Sequence, residues 1–337
     1  MSRFKVAVVG SGAIGGLFAS WLGTNPNSDI SLSVLARGDT LKALNSSGLR
    51  LIQGEKILSI PVNATDNSSS IGHQDLVILS VKEPSLAQVM PAVQSLIGLN
   101  TLLLVAMNGI PWWFFEKFGG PFSGLSLKSI DPQGVLSSSI PVDQIVGSVL
   151  HASARVEAPG VVRHIAGNRL IIGWANNRGS SGLTSLRDLL CASGWDASVS
   201  DCIQKNIWYK LWGNMTMNPV SAITGATCDQ ILDDPLTRNF CSAVMLEAQS
   251  IGHLIGCSID ETPEVRHEVT RKLGAFKTSM LQDVEAGRQL EINALVGVVR
   301  EIGQRVGIAT PNIDALLGLV RLMGEGRGLY SKVEPLG

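Results

Sequence analysis

A chain of 337 residues, 45% hydrophobic and 16% charged, can bury large cores, and its length suits two domains because single cores rarely grow past about 250–300 residues. A formal net charge of −1 offers no basic face for nucleic acid. Five cysteines and five histidines lie scattered, with no C-x-x-C, H-E-x-x-H or Cys/His cluster, which excludes a disulfide framework and a zinc-type metal site and suits thiols kept in a reducing compartment.

Arg3 and Lys5 precede an apolar run that reaches glycine after four residues, too short for the ~7–15 residue core of a signal peptide. No stretch approaches the ~18 apolar residues of a membrane span. The expected location is the cytoplasm, with no membrane partner.

The first half alternates short apolar runs with helical segments: KVAVVG, a glycine-rich turn, a helix through Trp21, then SLSVLAR, DLVILSVK and TLLLVAMNG. Runs apolar on both faces suit parallel strands covered by helices, and their alternation predicts a doubly wound sheet. The expected cofactor site starts at GSGAIG, which is Gly10, Ser11, Gly12, Ala13, Ile14 and Gly15. The first glycine permits the turn, the second lets backbone approach a pyrophosphate, and the third lets helix and strand pack closely. An ordinary glycine turn is the alternative, made less attractive by the strand before and the helix after. The second strand runs out at Arg37 rather than at an acidic residue. Its guanidinium fits the 2′-phosphate of NADPH, although Asp39 is near enough in sequence to compete for the ribose. Lys82 and Asn108 follow two further strands, at the sheet end where ligands collect; a surface lysine and a turn asparagine are the plainer readings.

The residues 145–173 read as antiparallel strands turning at Pro159 and Gly160. From about residue 200 the pattern becomes helical: Ile203, Ile207, Leu211 and Met215 recur every four residues, with Ser200 or Asp201 able to cap the start. Similar periodicity marks 243–256 and 282–306. The predicted fold is an α/β Rossmann-like N-terminal domain over 1–200 followed by an all-helical C-terminal domain over 201–337.

Lys210, Asn214 and Asn218 fall on one helical face beside the apolar stripe. Flanked by Trp208 and Trp212, the lysine can be partly desolvated, which lowers its pKa toward that of a useful proton donor. A solvated face is the alternative, although two asparagines in a helix call for an explanation. In KTSMLQDVEAGRQLEI, Ser279 precedes Glu291 by twelve residues; Ser279 could also be a helix cap, with Gln282 completing the box.

GSGAIG, Lys82, Asn108-Gly109, the K-x-x-x-N-x-x-x-N-P string from Lys210, and TSMLQD followed by Glu291 together resemble the ketopantoate reductase family, in order and approximate spacing over nearly the whole chain. The resemblance implies NADPH-dependent reduction of 2-dehydropantoate, a small 2-oxo acid, to pantoate. It implies Lys210 as general acid, Asn108, Asn214, Asn218 and Ser279 as substrate contacts, and Glu291 as the carboxylate near the lysine and the nicotinamide ribose. Arg37, Lys82 and Asn108 would touch the cofactor. Two features depart from the family: Cys228 stands where it has a further asparagine, and the aromatic run Trp112, Trp113, Phe114 and Phe115 adds bulk after Asn108-Gly109. That run reads as a substrate wall, a hydrophobic cover or a dimer contact, so a homodimer is allowed for. The competing functions are NADPH-dependent reduction of another bulky 2-oxo acid and a non-catalytic NADPH-sensing protein.

Overall fold

The structure, a computed structural model, describes residues 3–25 and 29–331. The chain forms two compact units. The first comprises the residues through Met107 together with Leu136–Ile203, and the second comprises Asn108–Val135 and the residues from Gln204 onward. A single cut near residue 200 therefore describes only one of three crossings, because Asn108–Val135 leaves the first unit for the second.

The first unit is built on one ten-stranded sheet. Its elements are β1 (Phe4–Val9), α1 (Ala13–Thr24), β2 (Ile30–Leu35), α2 (Gly38–Ser47), β3 (Leu49–Gln53), β4 (Lys56–Ile60), β5 (Asn63–Thr65), β6 (Gln74–Leu79), α3 (Leu86–Gln94) and β7 (Ile97–Val105). After the excursion come α4 (Val135–Ser139), β8 (Ile145–Ala158), β9 (Val161–Trp174), α5 (Thr184–Ala192) and β10 (Asp196–Val199). The spatial order β5-β2-β1-β6-β7-β8 is joined by parallel pairings throughout. This is the doubly wound arrangement, whose strand order reverses beside β1. β8 and β9 pair antiparallel across Pro159 and Gly160, where Gly160 takes φ +72°. That hairpin was legible in the sequence. The short strands β3, β4 and β5 were not, since the mixed polarity between Leu49 and Thr65 gave no clear period.

The buried faces explain the sheet. Val6, Val8, Leu76, Ile78 and Leu104 pack with Leu17, Phe18 and Leu22 of α1 into one core. Aliphatic burial of this kind contributes roughly 25 cal/mol per Å² removed from water.

Among the described residues the second unit contains no strand. Its helices are α6 (Ile203–Thr224), α7 (Cys228–Asp233), α8 (Pro235–Leu254), α9 (Pro263–Arg271), α10 (Ser279–Glu285), α11 (Val298–Val306) and α12 (Pro311–Gly326). Before α6, the Ser200 hydroxyl accepts from Cys202 N–H at 3.1 Å, and the helix runs through Pro219 before ending ahead of Gly225 at φ +73°. The periodicity over 282–306 is not one helix. α10 stops at Glu285, and a π-turn at Asn293–Gly297 leads into α11.

Candidate active site

In the first unit, the glycine turn links β1 to α1 at the reversal of strand order. Gly10 takes φ +100°, a conformation that favours glycine. A Cβ on Gly15 would sit 1.8 Å from the Gly10 carbonyl oxygen. The Ser80 hydroxyl donates to that same oxygen at 2.8 Å, so strand, turn and helix are pinned together. Gly12, at the α1 N-cap, differs: a Cβ there would meet no atom within 4 Å. Its free side and the uncapped helix N-terminus leave space for a ligand anion to approach backbone N–H groups.

Beside the turn lies a cavity of about 270 Å³, with Gly10, Ser11, Arg37, Asp66, Val81 and Gln88 in its lining. Arg37 is exposed and occupies the N-cap of α2. Asp39, its rival for the ribose, has its carboxylate 3.2 Å from the Lys42 ammonium. Asp66 and Gln88 escaped the sequence reading. Asp66 follows β5, a strand of three residues, too short to mark its end as a ligand-facing tip. Lys82 comes three residues after the end of β6, half-buried, and caps a short 3₁₀ turn. These residues fit a dinucleotide: a bare glycine faces the space, backbone donors border it, and a guanidinium stands at its rim.

In the second unit, α6 presents Lys210, Asn214 and Asn218 at intervals of four. Trp208 and Trp212 are 1% exposed, and the Trp212 indole donates to Met245 O at 2.8 Å. Buried aromatics thus stand two residues before and two residues after the lysine on the same helix. The half-buried Lys210 Nζ donates to Asn108 Oδ1 at 2.9 Å across 102 residues of sequence. Burial pushes the lysine pKa down to about 8, and the buried Glu291 carboxylate opposes that fall. One turn past Asn214, the buried Asn218 places Nδ2 3.4 Å from the exposed Ser279 Oγ. Ser279 is the first residue of α10, and its neighbour Thr278 supplies the cap by accepting from Leu281 N–H at 3.2 Å. Capping therefore does not account for Ser279.

The two departures take definite forms. Cys228 starts α7 as a buried thiol that burial raises to about 11, so it stays protonated at neutral pH. Trp112, Trp113, Phe114 and Phe115 are between 0% and 3% exposed. Phe114 packs on Phe115, Phe118 and Trp208 with ring centroids 5.0, 5.8 and 6.3 Å apart. The run is core of its unit and presents no open aromatic wall.

A doubly wound sheet with a glycine turn at its reversal, in one chain with a helical unit holding a half-buried ammonium, defines a dinucleotide-dependent oxidoreductase. Residues 6–177 match the family Ketopantoate reductase PanE/ApbA, and residues 202–324 match Ketopantoate reductase PanE/ApbA C terminal. The 2-dehydropantoate 2-reductase of Mesorhizobium japonicum is 40% identical over 327 residues, covering 97% of this chain and 100% of that protein. A crystal structure from Ralstonia solanacearum MolK2, provisionally assigned as a ketopantoate reductase, superposes with TM-score 0.93 at 49% identity, covering 98% of this chain and 100% of that one. D-mandelate dehydrogenase bound to NADH and anilino(oxo)acetate shares the fold at TM-score 0.82 and 21% identity, over 97% and 100% of the two chains. The chain belongs to the ketopantoate reductase family and is an oxidoreductase. No helix among the described residues is long and apolar enough to cross a membrane.

Proposed function

We propose that this protein reduces the C2 ketone of 2-dehydropantoate to the alcohol of pantoate, with NADPH as reductant and Lys210 as proton donor. The observation that carries the reading is the Lys210 ammonium itself: half-buried, bonded to Asn108 at 2.9 Å and brought down to about 8. The choice of acid is supported by the Mesorhizobium reductase, 40% identical over its whole length.

When bound, the dinucleotide supplies the hydride. Gly10, Ser11, Gly12, Ala13, Ile14 and Gly15 would hold its pyrophosphate at the α1 N-terminus. Arg37 favours the 2′-phosphate of NADPH by offering a forked, permanently charged donor set, and Lys82 adds a second cation. As C2 accepts hydride, negative charge grows on the ketone oxygen. Lys210 stabilises that charge and transfers a proton to the oxygen, leaving a neutral amine. Asn214, Asn218 and Ser279 orient the substrate carboxylate and hydroxyl without adding charge, while Asn108 holds the ammonium. Glu291 keeps the lysine protonated and is assigned, with Asn108, to the nicotinamide end of the cofactor. A cytoplasmic location accords with five free thiols, and a homodimer accords with the dimeric ketopantoate reductase of Staphylococcus aureus, a distant structural relative.

The test is NADPH absorbance decay with 2-dehydropantoate, run beside bulkier 2-oxo acids and beside NADH. The highest kcat/KM is expected for 2-dehydropantoate with NADPH. A bulkier acid preferred by about tenfold, a difference of roughly 1.4 kcal/mol in transition-state binding, would reassign the substrate. Cofactor binding without turnover of any acid would return the protein to the class of sensors.

A further inference from the structure

Asn108 reaches Lys210 from a loop, and a loop amide keeps a fixed distance only where its backbone is held. The next residue, Gly109, has φ +78°. A Cβ built there would lie 2.2 Å from the Ala294 carbonyl oxygen, 2.6 Å from the carbonyl carbon and 2.8 Å from the Ala294 methyl. Backbone rests directly on backbone, which only glycine allows. One residue further on, Ile110 N–H donates to Ala294 O at 2.9 Å.

The carbonyl is turned to this use by the π-turn at Asn293–Gly297. Val298 N–H donates to Asn293 O, five residues back, in place of the Ala294 O that an α-helix would give it. The widened turn begins two residues after Glu291. One backbone junction thus joins the segment that carries Asn108 to the segment that carries Glu291, and both side chains act on Lys210.

We infer that the Gly109–Ala294 junction, with the π-turn that frees it, is a positioning device that sets the two neighbours of the Lys210 ammonium. Gly109 and Ala294 act through Asn108 and Glu291 and are positioning residues. The catalytic consequence rests on Lys210 being the proton donor; the geometric content stands independently of it.

Gly109→Ala tests the junction. Gly307→Ala is the control, because Gly307 in the same unit has φ +75° and open space where its Cβ would project. It carries the left-handed penalty without a clash. The first readout needs no substrate: titration of the Lys210 Cε resonance in ¹³C-lysine-labelled protein, assigned by its loss in Lys210→Ala. In Gly109→Ala the midpoint is expected to fall by about one pH unit, since the ammonium loses its fixed acceptor, while Gly307→Ala keeps the parental midpoint. The second readout is single-turnover reduction with NADPH, expected to drop about 10- to 100-fold in Gly109→Ala, the scale of a misplacement near 1 Å. A Gly109→Ala midpoint equal to that of Gly307→Ala overturns the inference. A shifted midpoint in a protein whose parent reduces no 2-oxo acid supports the junction and refutes the proton-donor reading. Should Gly109→Ala fail to fold, Ala294→Val presses on the same contact from the other side and is expected to shift the midpoint the same way.

Discussion

Two opposing effects set the behaviour of Lys210. Burial favours the neutral amine, and Glu291 favours the ammonium; burial wins, leaving the pKa at about 8. Only the protonated form can donate, so the reduction rate should be on a plateau below pH 8 and fall about tenfold per pH unit above it. Replacing Glu291 with Gln removes the group that favours the charge. The alkaline limb of the single-turnover rate should then move to lower pH by about one unit, the smaller end of what a neighbouring opposite charge does. A limb that stays in place, or moves upward, would show that Glu291 does not act on the lysine. The spacing of Lys210, Asn214 and Asn218 was legible because helical period alone dictates it. The bond to Asn108 was not, since nothing in either segment encodes contact across 102 residues.

The glycine turn can be separated into parts that serve packing and parts that serve binding. Gly15 has no room, with the Gly10 carbonyl 1.8 Å from where its Cβ would be, whereas Gly12 has open space. Gly15→Ala should therefore destabilise the first unit by about 1–3 kcal/mol, the usual cost of overpacking, and lower the thermal midpoint. Gly12→Ala should lower that midpoint less than Gly15→Ala does, because alanine in place of glycine at an N-cap costs somewhat under about 1 kcal/mol and meets no clash, yet weaken NADPH binding by obstructing backbone approach to the pyrophosphate. Calorimetric melting and cofactor titration on both variants separate the two roles. Equal losses in stability would mean that Gly12 is a packing residue as well. Here the sequence was readable because strand, turn and helix follow one another between Phe4 and Thr24. The π-turn was not readable: the run NALVGVV is as apolar as any buried α-helix, and the partner of its Ala294 carbonyl is Ile110, far away in sequence.

For the molecule as a whole, both folds were legible and the path between them was not. Alternating apolar runs announced the sheet and a period of four announced the helices. Asn108–Val135 carried neither signal, and its membership of the second unit follows from contacts such as Glu301, whose carboxylate accepts from Lys128 and Ser129 N–H at 2.8 and 2.7 Å. Under the proposed function, dinucleotide binding falls to the unit with the glycine turn and Arg37, and proton donation to the unit with Lys210. Lys210→Ala tests that division most directly, with NADPH affinity and single-turnover hydride transfer measured on the same preparation. The variant should fold, because Lys210 is only half-buried and the apolar stripe of α6 stays intact. It should bind NADPH as the parent does, lose about 10²–10⁴ in rate, the usual worth of a positioned general acid, and lose the alkaline limb. A variant within about threefold of the parental rate, or one that loses NADPH affinity in step with its rate, would contradict the assignment of the proton to Lys210.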